Sequence, residues 1–362
     1  MTLTAENSPA FGSPPLRVGF LALTDAAPLI VAQHRGYFAR VGLRVQLERE
    51  VGWATIREKI LYRELDAAQA PAPMLWSAQL GLGCGAHPVL TGFVFNLHGN
   101  AFTLSNALYA DGVRDAASLR AVAKSRRGES RLTLGVVFPF SSHHLHLRQW
   151  LERAGIRPDH DVRIAIVPPA QMFRNLQAGT IDGYWAGEPW NSIAVRAGIG
   201  WCPTWSAAQA PGHVEKVLMV TERLAETRAA EHSALIAALS AAAAWCDDPV
   251  HSEELAELLG LAPYLNLPAR AITPALTGQF DCGNGRVERV PDFLIYHRNG
   301  ANVPSVEKAV ALQRELSAAE LLPADVDPEL PRRLFREDLY RNALNPVQPH
   351  ETLSSSDLRG VL

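Results

Sequence analysis

The chain has 362 residues, 48% of them hydrophobic, and 34 Lys plus Arg against 37 Asp plus Glu give a formal net charge of −3. This length suggests two domains with ordinary cores, and the even spread of both charge signs argues against a direct reader of DNA or RNA and against a polybasic membrane surface. No run of about 18 consecutive apolar residues marks a membrane span, and Cys84, Cys202, Cys246 and Cys282 lie too far apart for a CxxC pair or a zinc set.

Residues 1–15 contain no Lys or Arg and no apolar stretch of the kind that a secretory signal needs, so a disordered N-terminus on a cytoplasmic protein is expected. A short apolar strand follows over 16–23 and a helix over 28–36, with Pro in its first turn and Gly at its end. A second strand over 45–48, a helix over 55–64 and a strand over 66–70 complete a βαβ order, which implies parallel pairing. The pattern then returns. Leu16 and Gly19 correspond to Leu132 and Gly135, Asp66 to Asp182, and Pro73 to Pro189, each pair 116 residues apart. Such matches at strand starts and ends point to two lobes of one plan. Strands over 101–108 and 214–220 lie where the chain would change lobes and are candidate hinges. Helices dominate afterwards, over 232–246, 252–259 and 305–316, and a Ser-rich tail over 353–362 is expected to fray.

Chemistry-bearing residues gather at strand ends. In FPFSSHHLHLRQWL, residues 138–151, the strand-to-helix turn offers free backbone N–H groups and the positive end of a helix dipole, which suits a small anion. His143 and His146 are one turn apart, which allows a metal pair, but no Glu or Cys completes a set nearby. A neutral His143 donating one N–H to an oxyanion is the alternative. Pro169 opens the helix after PP, and Glu188 sits at the carboxyl end of a strand, where open α/β sheets bind ligands; it could equally be a cap or a hinge ion pair. Trp53 is either a core aromatic or a flat cleft wall. Lys216 is either solvent-facing or a cation for an anionic ligand. Nucleophile-elbow, Walker A and GxGxxG patterns are lacking, so neither a catalytic residue nor a cofactor is expected.

Seven ordered blocks, among them LRVGFLALTDAAPLIVAQHRGYF, GNAFTLS, FPFSSHHLHLRQWL, LQAGTIDGYWAGEPW and HVEKVLMVTE, resemble the nitrate- and bicarbonate-binding proteins of ABC transporters. The resemblance implies an α/β, type II periplasmic-binding-protein fold: two lobes with mixed, mostly parallel sheets joined by two hinge strands, and extra C-terminal helices. Residues 16–103 plus 218–362 would form lobe 1 and residues 104–217 lobe 2. It places Trp53, His143, Pro169 and Lys216 on ligand-contacting positions, with Asn100 where relatives carry Gln, and Glu188 beside them. Lys216, where bicarbonate binders resemble an acidic metal ligand, implies nitrate or nitrite bound without metal. Lacking a leader, the chain is similar to cytoplasmic NasS-type nitrate/nitrite sensors, whose partner is a NasT-like ANTAR-domain RNA-binding antiterminator; the alternative is an exported binding component of a nitrate/nitrite ABC transporter. A sulfonate or taurine binder and a thiamine-precursor synthase are further alternatives, the latter weakened by the isolated Cys84.

Overall fold

Leu16–Leu21 (β1), apolar but for Arg17, opens the first sheet in the computed structural model, which describes residues 12–126 and 128–345. β1 pairs in parallel with Val45–Glu50 (β2) on one side and Ala67–Pro71 (β3) on the other. Helices Ala27–His34 (α1) and Trp53–Leu61 (α2) supply the crossovers that parallel pairing demands. Val89–Leu90 (β4) and Val94–His98 (β5) follow.

The chain then leaves this sheet through Gly99, at φ +90, where an added Cβ would sit 2.8 Å from Leu294 Cδ1; a side chain is excluded by backbone and space alike. Asn100–Ser105 (β6) already belongs to the second sheet, with Thr133–Val136 (β7), Arg163–Ile166 (β8), Gly183–Gly187 (β9) and Gly200–Trp205 (β10) in the order β10-β6-β9-β7-β8. Helices Ser142–Arg153 (α3), Pro169–Gln177 (α4) and Trp190–Arg196 (α5) pack on it. The return runs over 206–213 into Val214–Thr221 (β11). Sheet membership thus changes a few residues ahead of the expected boundaries at 103/104 and 217/218.

One expected element differs: the strand predicted over 101–108 stops at Ser105, whose hydroxyl accepts from Leu108 N at 3.3 Å and caps a helix over Asn106–Ala110. β11, expected as a strand over 214–220 and a candidate hinge, is hydrogen-bonded to β3 on one edge and β5 on the other. Beyond it lie helix Ala229–Cys246 (α6), the hairpin Gln279–Gly283 (β12) and Arg286–Arg289 (β13), strand Leu294–Ile295 (β14) and helix Val306–Ala318 (α7). The first sheet reads β14-β5-β11-β3-β1-β2, with β4 on β11. Parallel pairing is confined to β1–β3 and β7–β9, so both sheets are mixed. α6, with 18 residues and mean hydropathy 1.2, is long and apolar enough to cross a bilayer, and here it packs against α1 and the helix Glu337–Leu344. Residues 1–11 and the tail over 353–362 lie outside the described residues.

The 116-residue repeat extends to side chains. Asp66 Oδ2 accepts from Arg17 N at 2.8 Å, and Asp182 Oδ2 accepts from Thr133 N at 2.8 Å. Both ties anchor the strand start to the turn before its parallel neighbour. Gly19 has Leu65 and Ile56 where its Cβ would be; Gly135 has Ile181 and Met172, each offset by the same 116 residues.

Gly183 tests the packing of the second sheet. An added Cβ would lie 2.6 Å from the Thr103 carbonyl oxygen and 2.7 Å from Leu104 Cδ2. Because the first obstacle is backbone, Gly183→Ala is expected to cost about 1–3 kcal/mol, read as a lower urea midpoint. An unchanged midpoint would contradict this packing.

Candidate functional site

Where the sheets meet, β11 begins with Val214, Glu215 and Lys216, all buried, at the head of an otherwise apolar strand. Held between β3 and β5, Lys216 has no route to bulk water and is 0% exposed. Its Nζ lies 2.5 Å from Glu215 Oε1 and 2.9 Å from Asp25 Oδ2. Asp25 occupies the short turn Thr24–Ala26 after β1, and its Oδ1 accepts from Gln69 Nε2 at 2.6 Å. Glu215 Oε2 accepts from Asn100 Nδ2 at 2.5 Å and from the Ser142 hydroxyl. His143 Nδ1 is 3.6 Å from Glu215 Oε1, and the Trp53 ring centre is 5.3 Å from the amine, within cation–π range.

The repeat explains why these residues converge. Trp53 and Pro169 are the first residues of α2 and α4, nine-residue helices 116 positions apart. Asn100 and Lys216 show the same offset, and Asn100 pairs with Gly187 of β9 as Lys216 pairs with Pro71 of β3. Four of the expected residues are thus two pairs of equivalent positions. Gly52, just before Trp53, has its Cβ direction 4.0 Å from Pro168, so the turns ahead of α2 and α4 touch across the cleft. One backbone bond links the lobes further, Thr24 N donating to Glu188 O at 2.9 Å, while Glu188 N extends the β6–β9 ladder by donating to Gly99 O at 3.2 Å.

Burial and charge set the protonation states. Burial lowers His143 to about 3 despite the attraction of Glu215, leaving a neutral ring with one N–H donor. Burial opposes the charge of Glu215, but the Lys216 ammonium and the Ser142 hydroxyl hold its carboxyl well below the usual range. Burial pushes Asp25 up, against the pull of Lys216. Burial likewise disfavours the ammonium, yet Asp25 and Glu215 together raise Lys216. With both carboxylates ionised, one ammonium leaves the cluster one negative charge in excess. Trp53 Nε1, Asn100 Oδ1 and both His143 ring nitrogens are buried without hydrogen-bond partners.

The expected residues fall into two groups. Trp53, His143 and Lys216 are assembled around one point. Asn100 reaches the same cluster, but its amide donor is spent on Glu215 and an acceptor, Oδ1, is left over; the expected Asn100 donor to an anion is therefore replaced by a positioning contact. Pro169 is buried in the wall of an outer cleft cavity of about 740 Å³ lined also by Leu21, Arg49, Val51 and Trp190. The Glu188 carboxylate turns to its own helix, accepting from Ser192 N at 3.2 Å. His146 pairs less with His143 than with His213, ring centres 4.5 Å apart; with Glu215 these two bring ligand atoms within 4.8 Å of one another. The Glu215 oxygens of that group are already engaged by Lys216, Asn100 and Ser142. Sequence reasoning missed Asp25, Gln69 and Glu215. Gln69 was detectable as the one polar residue in the buried strand AAQAP, and Glu215 as a charge heading an apolar strand.

The NMT1-like family matches residues 10–260 of the chain. The chain is 36% identical over 332 residues to the nitrate import ATP-binding protein NrtC of a Synechocystis species, covering 91% of this chain and 49% of that protein. It is 40% identical over 259 residues to the bicarbonate transport ATP-binding protein CmpC of Synechococcus elongatus, covering 71% and 39%. The chain thus spans about half or less of the length of these curated relatives. The crystal structure of the periplasmic nitrate-binding protein NrtA from Synechocystis superimposes with a TM-score of 0.88 at 26% identity, covering 96% of this chain and 93% of that one.

Two stability measurements check the electrostatics. Lys216→Met strands two buried carboxylates and is expected to cost about 3–5 kcal/mol near neutral pH, with a deficit that shrinks toward pH 5 as they protonate; a pH-independent deficit would contradict the cluster. Folded Glu188 keeps its proton to about 7, because it is buried, against 4.5 for the ordinary carboxyl. Stability is therefore lost as pH rises through that window, about 3 kcal/mol in all. Glu188→Gln is expected to be the more stable protein at pH 8 and equal to wild type at pH 4; the reverse order would contradict the assignment.

Proposed function

The chain belongs to the NMT1-like family, among the nitrate- and bicarbonate-type solute-binding proteins of ABC transporters, and from this premise we propose that it binds nitrate or nitrite between its two lobes. The observation that carries the reading is the convergence of a wholly buried ammonium, a neutral imidazole and an unpartnered indole N–H at the interlobe contact. Nitrate and nitrite accept hydrogen bonds and donate none, and the Lys216 ammonium, the Trp53 indole N–H and the one N–H of neutral His143 supply donors. The flat indole face beside Lys216 suits a planar anion. Bicarbonate is the nearest competitor: its hydroxyl could donate to Asn100 Oδ1. Binding rather than catalysis is the role this reading assigns, in line with relatives named as nitrate-binding proteins.

The names of the relatives favour a substrate-binding component of a nitrate or nitrite ABC importer, with closure of the lobes as the event that a permease reads. The other role is the cytoplasmic nitrate/nitrite sensor that holds a NasT-like ANTAR antiterminator. Either role requires ligand to bind two lobe arrangements unequally. Fractionation of cells separates them, together with a nitrate titration of the chain mixed with an ANTAR-domain protein. Nitrate-released association supports the sensor; no association at any nitrate level removes it.

Thermal shift and calorimetry against nitrate, nitrite, bicarbonate and taurine test the ligand. Nitrate at 100 times its Kd is expected to stabilise the fold by about 2.7 kcal/mol, and taurine by nothing measurable. A hydrogen bond to a charged partner is worth about 1.5–3 kcal/mol, so His143→Ala is expected to weaken nitrate at least roughly tenfold. Equal affinities in the two proteins would remove His143 from the site.

A further inference from the structure

We propose that the anion enters this site together with one proton, which Asp25 takes up. The inference rests on the reading of the site as a nitrate or nitrite site and concerns how the charge is balanced there.

The Lys216 amine is not a free cation awaiting an anion. Its Nζ is already 2.5 Å from Glu215 and 2.9 Å from Asp25, all three side chains being at most 3% exposed. With Asp25 and Glu215 both ionised, the cluster carries one excess negative charge before any ligand arrives. A monovalent anion would make it two, in a region without solvent to screen them. One proton returns the excess to its starting value. Its stoichiometry is therefore set by the geometry of the carboxylates.

The two carboxylates are not equally able to accept that proton. Glu215 receives donors from Lys216, Asn100 and Ser142, each of which would lose strength against a neutral acid. Asp25 receives two donors, Gln69 to Oδ1 and Lys216 to Oδ2, one fewer than Glu215. The neighbouring elements bring few other polar groups to Asp25. β11 contributes Lys216 and Glu215, and β3 contributes Gln69. The segment after β14 contributes the Tyr296 hydroxyl, which donates to Thr24 O at 2.7 Å. The end of β9 contributes Gly187, whose Cβ direction is 3.7 Å from Asp25 Oδ2, and the adjoining Glu188 carboxylate faces Ser192. On α3, His143 is held neutral by burial. No second cation faces Asp25 among the described residues. Burial pushes the Asp25 carboxyl up, in the direction of uptake.

Protonation also changes what Asp25 offers the ligand. As a carboxylate it repels an oxyanion; as a carboxylic acid it donates an O–H to one. The balance is simple: the anion and one proton leave water, the proton forms the O–H bond of Asp25, and no bond forms or breaks within the anion.

Calorimetry with sodium nitrate, in phosphate and in Tris at one pH and ionic strength, reads the proton count from the dependence of the heat on the buffer. The expected result is uptake of one proton per nitrate, with Kd rising about tenfold per pH unit while free Asp25 is ionised. The near-isosteric Asp25→Asn is expected to bind nitrate with no proton uptake and a flat pH profile. Tight wild-type binding with no uptake overturns the inference and leaves the nitrate reading standing. Uptake that persists in Asp25→Asn overturns the assignment to Asp25, as does a Kd that follows the choice of sodium, potassium or choline instead of pH. Failure of nitrate to bind at any pH removes both readings. Should Asp25→Asn not fold, the wild-type buffer comparison still decides the proton count.

Discussion

A fully buried ammonium is costly unless its charge is met, and the contact of Lys216 with Asp25 and Glu215 is the constraint around which this molecule is arranged. Both carboxylates belong to the first sheet and the turn beside it. The donors that complete Glu215, Asn100 on β6 and Ser142 on α3, come from the second. The polar cluster is therefore satisfied only while the lobes are together. An opening that carries α3 away removes Ser142 and His143 from Glu215 and lets water in, which ties the charge state of the site to the lobe arrangement. Coulomb energies of about 4 kcal/mol per unit pair at 4 Å and an effective dielectric near 20 are large enough to bias such an equilibrium.

Duplication of one βα plan gives the cluster its place. Each half ends a parallel strand at the same interface and starts a nine-residue helix there, so Trp53 and Pro169 face the cleft from equivalent positions. The crossing strands do likewise with Asn100 and Lys216. At these equivalent positions the two halves differ in side chain, so one position carries an amide and its counterpart an amine. Asp66 and Asp182, far from the site, keep the same tie in both halves and hold the strands in register.

Much of this was legible in the residues. The repeat shows at strand boundaries because Gly19 and Gly135 must admit a helix packed close behind, and Asp66 and Asp182 must cap a turn. Trp53, His143 and Lys216 stood out by residue type at strand-to-helix turns. What stayed hidden depends on pairing across long stretches of chain. Nothing near Asp25 in sequence announces that Lys216, 191 positions later, will sit 2.9 Å away. Asn100 reads as a donor to a ligand until Glu215 is seen to take that donor. Glu188 reads as a cleft carboxylate until its oxygen is found capping α5 and its backbone latching the lobes. β11 lies inside its sheet because β4 and β5 pair with it on the edge away from β3, and periodicity alone carries no information about sheet order.

The central claim is that a small monovalent oxyanion is held at the point where Lys216, His143 and Trp53 converge. A crystal structure of the protein grown with nitrate tests it most directly. Nitrate is expected in contact with the Lys216 amine and a His143 ring nitrogen, beneath closed lobes, with Glu215 still held by Asn100. Density for nitrate elsewhere, or closed lobes around an unchanged Lys216–Asp25–Glu215 cluster with no anion in contact, would contradict it.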